Sequence, residues 1–246
     1  MVTITFLGTG ASEGVPALNC RCNTCEEARR NPVARRMPTS ILLMGSLNLL
    51  VDVGFDVMER LGGLDVDAIL ITHWHPDHYA GLFRLKWSTR RIPVYAPQVL
   101  SHDVARDPRN LEIEVAEPYR EIRLGEFKVT PIPLIHNVES LGYVVENPDG
   151  RVAFLFDTKG LGSRELEYLE RVELDVAVVD STYAPGSYSE NHNNVDEALS
   201  VGEAIGAKHV VLTHIAHHNI PLSELLSYVK KRGEFTVAHD MMTLNL

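Results

Sequence analysis

Short apolar runs, rich in β-branched residues, recur along the chain, and many stop at a histidine or an aspartate. Their lengths and flanking turn residues predict strands at Val2–Leu7, Ala68–Thr72, Val94–Ala96, Phe127–Leu134, Leu141–Glu146, Arg151–Phe156, Asp175–Asp180 and His209–Thr213. Thr39–Met44 and Leu47–Val53 read as a hairpin turning at Gly45-Ser46. Helical spacing marks Phe55–Leu61, Ser163–Arg171, Asn194–Ile205 and Leu222–Arg232. Asn193 or Asn194, followed by Glu197, reads as the N-cap of the third of these helices. The order is strands first, then alternation with helices, which predicts an α/β fold. Polar side chains at strand ends are where such folds build sites.

Composition narrows this only a little. The chain has 246 residues, 45% of them hydrophobic, with 23 basic and 33 acidic side chains and a formal charge of -10. Collagen, coiled coil and wholesale disorder are excluded. The acidic balance argues against a broad grip on nucleic acid, although a small basic cluster runs from Arg29-Arg30 to Arg35-Arg36. No repeat and no Gly-, Ser- or Pro-rich linker divides the chain, so residues 1–246 read as one domain. No apolar run approaches the ~20 residues of a membrane helix, so no membrane partner is expected. The start MVTITFLGTGASEG reads as a strand and loop, not a signal peptide. With Cys20, Cys22 and Cys25 crowded together as a poor disulfide framework, the expected compartment is the cytoplasm.

The densest chemistry is Thr72-His73-Trp74-His75-Pro76-Asp77-His78, which follows an apolar strand. His73 and His75 can converge on one cation, and Asp77 and His78, on the next turn, on a second. Imidazole with carboxylate suits Zn²⁺, Mn²⁺ or Fe²⁺. The pattern T-H-x-H-x-D-H resembles the signature of the metallo-β-lactamase superfamily. That resemblance implies an αββα sandwich of two mixed sheets flanked by helices, and a two-metal hydrolase. It also implies later ligands His136, Asp157 and His214, each of which follows a predicted strand here. By the same resemblance one divalent metal takes His73, His75 and His136, the other takes Asp77, His78 and His214, and Asp157 bridges them. Asp52 would lie behind the site and orient a ligating imidazole.

Cys20-Arg21-Cys22-Asn23-Thr24-Cys25 is a C-x-C-x-x-C run in a polar loop over residues 19–26. Three thiolates there can hold one structural Zn²⁺, with His217 as the fourth ligand and His218 as its competitor. This knuckle, the start Gly8-Thr9-Gly10-Ala11-Ser12-Glu13-Gly14-Val15-Pro16 and the full ligand set resemble the phosphoribosyl cyclic phosphate diesterases of phosphonate breakdown. The match includes Gly81-Leu82-Phe83-Arg84-Leu85, Trp87 and Asn191-His192.

The resemblance implies a dinuclear phosphodiesterase, carrying Mn²⁺ or Zn²⁺, that hydrolyses a small cyclic ribose phosphate. A metal-bridging hydroxide would be oriented by Asp77, and His192 would act on the leaving-group side. A tRNA 3′-end endonuclease is the second reading, weakened by the acidic charge and by the lack of an inserted Gly/Pro-rich arm. A non-catalytic zinc-binding relative of cofactor biosynthesis is the third, opposed by the intact dinuclear ligand set. Tyr183, Tyr188 and the Arg29–Arg36 cluster are candidates to touch substrate or a second copy in a homodimer. His102, His209, His218 and His239 have no placed role.

Overall fold

Alternate residues of the strands feed two different cores, and that alternation sets the layers. The computed structural model describes residues 1–98, 103–233 and 235–246; His102 lies outside them. The first sheet is built from β1 (Thr3–Gly8), β2 (Ser40–Met44), β3 (Asn48–Val51), β4 (Ala68–Leu70), β5 (Ile92–Ala96) and β6 (Leu111–Val115). The second takes β7 (Ile122–Leu124), β8 (Phe127–Leu134), β9 (Ser140–Asn147), β10 (Gly150–Leu155), β11 (Val176–Asp180), β12 (His209–Thr213) and β13 (Phe235–Val237). A last strand, β14 (Thr243–Asn245), returns to the edge of the first sheet beside β1.

Ile41, Leu43, Leu49 and Val51 face Val152, Phe154, Val176, Val178 and Val211 in a core between the sheets. The intervening Leu42 and Leu50 point outward under α2 (Val57–Leu61) and α4 (Leu82–Leu85). Ala153, Leu155, Ala177, Val179 and Leu212 point the other way, under α6 (Ser163–Val172), α7 (Val195–Ala204) and α8 (Leu222–Lys230). Strands covered on both faces have no polar alternation to display, which is why they read as unbroken apolar runs. The result is two mixed seven-stranded sheets flanked by helices, the expected αββα sandwich.

The predicted hairpin forms, with Ile41 opposite Val51 and Met44 opposite Asn48. Asn194 is the N-cap, closing a full capping box with Glu197. The helix expected from Phe55 begins only at Val57. Four strands lacked a readable signal: β6, β7, β13 and β14 lie at sheet edges, and three of them are only three residues long. Among the described residues, two short helices, α3 (Pro76–Tyr79) and α5 (Asp103–Arg106), and one longer one, α1 (Asn23–Arg30), complete the α-helices. No described helix is long and apolar enough to cross a membrane.

β3 to β6 run parallel in the first sheet, and β10 to β13 run parallel in the second. The chain therefore leaves several strands at one rim of the sandwich.

Candidate metal centre

Three candidate residues sit at that rim immediately after strands, in a backbone conformation that side chains other than glycine seldom take. Asp52 follows β3 with φ 58°, Asp157 lies just past β10 with φ 49°, and His214 follows β12 with φ 57°. Each costs about 1–3 kcal/mol of backbone strain, which the well-packed strands on either side hold in place. The left-handed step turns each side chain inward across the sandwich mouth. Asp77 and His78 come from α3, while His73 and His75 come from the extended segment before it.

The structure brings all seven expected dinuclear ligands together. The ligand atoms of His73, His75, His136 and Asp157 gather in one group, and those of Asp77, His78 and His214 in another, each within 4.8 Å of one another. Asp157 joins them with a different oxygen to each side. Its Oδ2 lies 3.5 Å from His73 Nε2 and 3.8 Å from His136 Nε2. Its Oδ1 lies 3.3 Å from His78 Nε2 and 3.1 Å from His214 Nε2. Four of these atoms, His73 Nε2, His78 Nε2, His214 Nε2 and Asp157 Oδ1, are buried without a hydrogen-bond partner. A buried unpaired polar atom costs about 1–3 kcal/mol, and four of them facing one another are hard to sustain without a ligand. Divalent cations fit this donor set, because they satisfy every orphaned atom at once.

Electrostatics divide the centre: burial disfavours a charge on His78, but Asp157 and Asp52 outweigh it and raise that imidazole well above its ordinary range, whereas the other half is held neutral. Burial pushes the pKa of His73, His75 and His136 down, keeping the rings neutral, the form that coordinates a metal. Burial alone would raise the carboxyls of Asp77 and Asp157. The surrounding imidazoles instead hold both far below the usual carboxylate range.

The far sides of the imidazoles are tied down. His78 Nδ1 meets Asp52 Oδ2 at 2.7 Å, and Asp52 is itself fixed by the Thr72 amide and hydroxyl, both at 2.8 Å. Asp52 thus lies behind the His78 ring, held on its own far side by Thr72. His136 Nδ1 donates to the Asn191 carbonyl at 3.0 Å. His214 Nδ1 meets the Thr182 hydroxyl at 2.8 Å. These bonds leave the Nε2 atoms of the three rings to face the centre.

Sequence reasoning missed Asp180. Fully buried at the end of β11, it accepts from the amides of Thr158 and Thr182, both at 3.0 Å, and from the Thr182 hydroxyl at 2.6 Å. Its Oδ2 also lies 2.9 Å from His192 Nδ1. His192 stacks on His214 at 5.2 Å, and its Nε2 lies 3.9 Å from Asp157 Oδ2. Burial disfavours the His192 charge, but Asp180, with Asp157 adding, outweighs it and raises the pKa to about 9. The available signal was an apolar strand ending in Asp, the same one that marked Asp157.

The second cluster holds Cys20, Cys22, Cys25 and His217. His217 Nδ1 is 3.3 Å from Cys20 Sγ and 3.8 Å from Cys22 Sγ. The structure therefore selects His217 over His218 for the thiol group, while His218 joins Glu13 and His217 in a more open grouping. The expected loop is corrected in part: α1 begins at Asn23, so Cys25 sits on a helix, with Cys22 as its N-cap. Burial pushes the Cys25 thiol up to about 12, so the free thiol stays protonated unless a cation takes it. Three thiol sulfurs and one imidazole nitrogen fit a closed Zn²⁺ site.

His209 and His239 stay outside both clusters: His209 bonds Thr236, and His239 bonds the Asp240 carbonyl. A surface cavity of about 480 Å³ lies at the β9–β10 turn, lined by Glu146, Asp149 and Arg151. No candidate ligand lines it, so the chemistry points to the rim instead.

Comparison with known proteins supports this reading of the fold. The beta-lactamase superfamily domain matches residues 47–215. A diphosphatase of the PhnP family, of known structure, superposes with a TM-score of 0.87 at 28% identity, over 100% of this chain and 98% of that one. The octanoyltransferase of Porphyromonas gingivalis is 29% identical over 233 residues, 87% of this chain; the match spans only 46% of that protein. The ribonuclease Z of Archaeoglobus fulgidus is 25% identical over 99% of this chain and 97% of its own length. That alignment runs over 314 positions against 246 residues here, so the relative carries inserted segments that this chain lacks.

Proposed function

The chain belongs to the beta-lactamase superfamily and is a hydrolase of the metallo-β-lactamase fold, and within that frame we propose a metal-dependent phosphodiesterase that opens a small cyclic ribose phosphate. The observation that carries this reading is the pair of ligand clusters sharing Asp157, with the Asp180–His192 pair set beside them. Similarity along the whole chain to a PhnP-family diphosphatase supports hydrolysis at phosphorus. His73, His75 and His136 would hold one divalent ion, Asp77, His78 and His214 the other, with Asp157 between. Bound there, the ions would supply Lewis acidity and bring the pKa of water toward neutrality.

The residues of the chain supply the rest. Asp77, buried beside His78 and His214, would orient the attacking water, whose proton passes to bulk solvent. The water oxygen bonds to phosphorus, and one P–O ester bond breaks on the opposite side. The departing alkoxide takes its proton from His192 Nε2, while Asp180 holds His192 through Nδ1 and stabilises its charged form. The ring opens to a phosphomonoester with no other co-reactant.

One finding favours a second reading, tRNA 3′-end processing: the Archaeoglobus fulgidus ribonuclease Z matches end to end. The segments that the relative has and this chain lacks, together with the net charge of -10, count against it. The test is turnover of a 2′,3′-cyclic ribonucleotide, bis(p-nitrophenyl) phosphate and a tRNA precursor with added Mn²⁺ or Zn²⁺. Preference for the cyclic ribose phosphate is expected. Preference for the tRNA overturns the proposal, and one tightly held zinc with no turnover at all favours the non-catalytic reading.

A further inference from the structure

A row of five rings joins the two clusters. His214 stacks on His192 at 5.2 Å with an interplanar angle of 8°. His192 meets Tyr183 at 6.2 Å, Tyr183 meets His218 at 6.1 Å, and His218 meets His217 at 3.9 Å. The two ends belong to the dinuclear and thiol groups, and His192 is the proposed proton donor. Tyr183 and His218, in the middle, have no role in either group of ligands proposed above.

Both are held there by backbone bonds. The Tyr183 amide donates to the Asn193 carbonyl at 3.3 Å, and the Val195 amide donates to the Tyr183 carbonyl at 3.0 Å. These bonds close the 183–195 loop and fix Tyr183 beside His192. The Ala216 amide donates to the Thr182 carbonyl at 3.2 Å, and the Asn219 side chain donates to the carbonyls of Ser181 and Thr182. His218 is thereby set against Tyr183. Glu13 reaches the same place, since its carboxylate accepts from the His217 amide at 3.3 Å and lies within 4.8 Å of one His218 ring nitrogen. The half-buried Tyr183 ring, the exposed His218 imidazole and the Glu13 carboxylate thus form one wall.

Geometry says what the wall meets. His192 has His214 stacked on it, His136 packed edge-on at 5.0 Å, and Asp180 behind. Tyr183 lies 6.2 Å away, its ring steeply inclined to that of His192. A leaving group protonated by His192 would therefore have the Tyr183 ring within reach.

We propose that Tyr183, His218 and Glu13 form the leaving-group subsite, selecting a hydroxylated sugar ring over a flat aryl group. The inference rests on the phosphodiesterase reading above. An aromatic face takes the C–H face of a sugar, while an imidazole beside a carboxylate pairs with neighbouring hydroxyls. These are specificity residues, and they take no part in proton transfer.

The test compares wild type, Tyr183→Ala, Tyr183→Phe, His218→Ala and Glu13→Gln in the metal-loaded protein. Calorimetry measures Kd for ribose 5-phosphate and for inorganic phosphate, and kinetics compares a 2′,3′-cyclic ribonucleotide with bis(p-nitrophenyl) phosphate. Expected for Y183A is a Kd loss about ten-fold larger for ribose 5-phosphate than for phosphate, about 1.4 kcal/mol of discrimination. In His218→Ala and Glu13→Gln, KM for the cyclic nucleotide rises more than KM for the aryl ester, and Y183F, which keeps the ring, restores most of the Y183A loss. Losses of equal size on both ligands and both esters in all four variants overturn the subsite and leave the reaction standing. A wild-type protein that leaves the cyclic nucleotide intact overturns the reaction itself, and the subsite with it.

Discussion

Asp180 offers the sharpest perturbation, because an isosteric change removes its charge and keeps its shape. In Asp180→Asn one carboxylate oxygen becomes an NH₂. Oδ2 now accepts from Thr158 and His192, and Oδ1 accepts twice from Thr182. Whichever oxygen is replaced, two donors lose their acceptor. At about 1–3 kcal/mol for each buried unpaired group, a stability loss of about 3 kcal/mol is expected. The proton on His192 is the more specific readout. Its pKa of about 9 against 6.5 for a free ring is a preference for the charged form of about 3 kcal/mol at 1.36 kcal/mol per unit. Because the folded pKa is raised, this stabilisation is fully present below pH 6.5 and is lost as pH rises through 9. Urea melts of the variant should therefore fall furthest below wild type at low pH, and above pH 9 the gap should narrow to that left by the unpaired donors. In kinetics, the alkaline limb of kcat on the cyclic nucleotide should move toward acid by at least one unit. Turnover at pH 8 should fall about 10²-fold or more, the scale of general acid catalysis. Bis(p-nitrophenyl) phosphate should lose much less, since its leaving group departs as a stable anion without a proton. An unchanged alkaline limb, with equal losses on both substrates, would refute the role of Asp180.

Three further outcomes follow from the clusters. Metal analysis of the purified protein should give about three divalent ions per chain, and Asp157→Asn should reduce that to about one, because it serves both halves of the dinuclear group; a variant that still holds about three ions sinks the bridging role. Cys25→Ser and His217→Ala should each release one zinc and lower Tm, whereas His218→Ala should keep that zinc; release from His218→Ala alone would reverse the assignment. Gly81→Ala should cost more than about 2 kcal/mol and weaken dinuclear metal retention. Its Cβ would meet Val53 Cγ1 at 2.4 Å and the Gly54 carbonyl at 2.7 Å, so the segment behind Asp52 must shift. A variant with wild-type Tm and metal content would show that the segment yields freely.

Local signals made most of this centre readable. His73, His75, Asp77 and His78 stand in one short run, and His136, Asp157 and His214 each lie at or just past the end of an apolar strand. An apolar run that stops at a polar ligand carries its meaning locally, since burial on both faces dictates the run and the rim of the sheet dictates the stop. The long core strands were legible for the same reason, Phe127–Leu134 and His209–Thr213 to the residue. The edge strands β7, β13 and β14 were not, because their few residues have little pattern and are strands only through pairing with a neighbour.

The chain alone determined the candidate ligand residues and the core strands that lead to them, in residue type and spacing; the αββα class followed from the family resemblance that those residues carry. Tertiary structure decided which groups act as partners. It chose His217 over His218, turned Asp157 so that one oxygen faces each cluster, and placed Asp180 behind His192 from twelve residues away. It also set Tyr183 between them. Contacts of that kind depend on left-handed turns at strand ends and on loops closed by backbone bonds. Those are properties of the packed chain, because an imidazole facing a carboxylate across two sheets leaves no local trace in either segment.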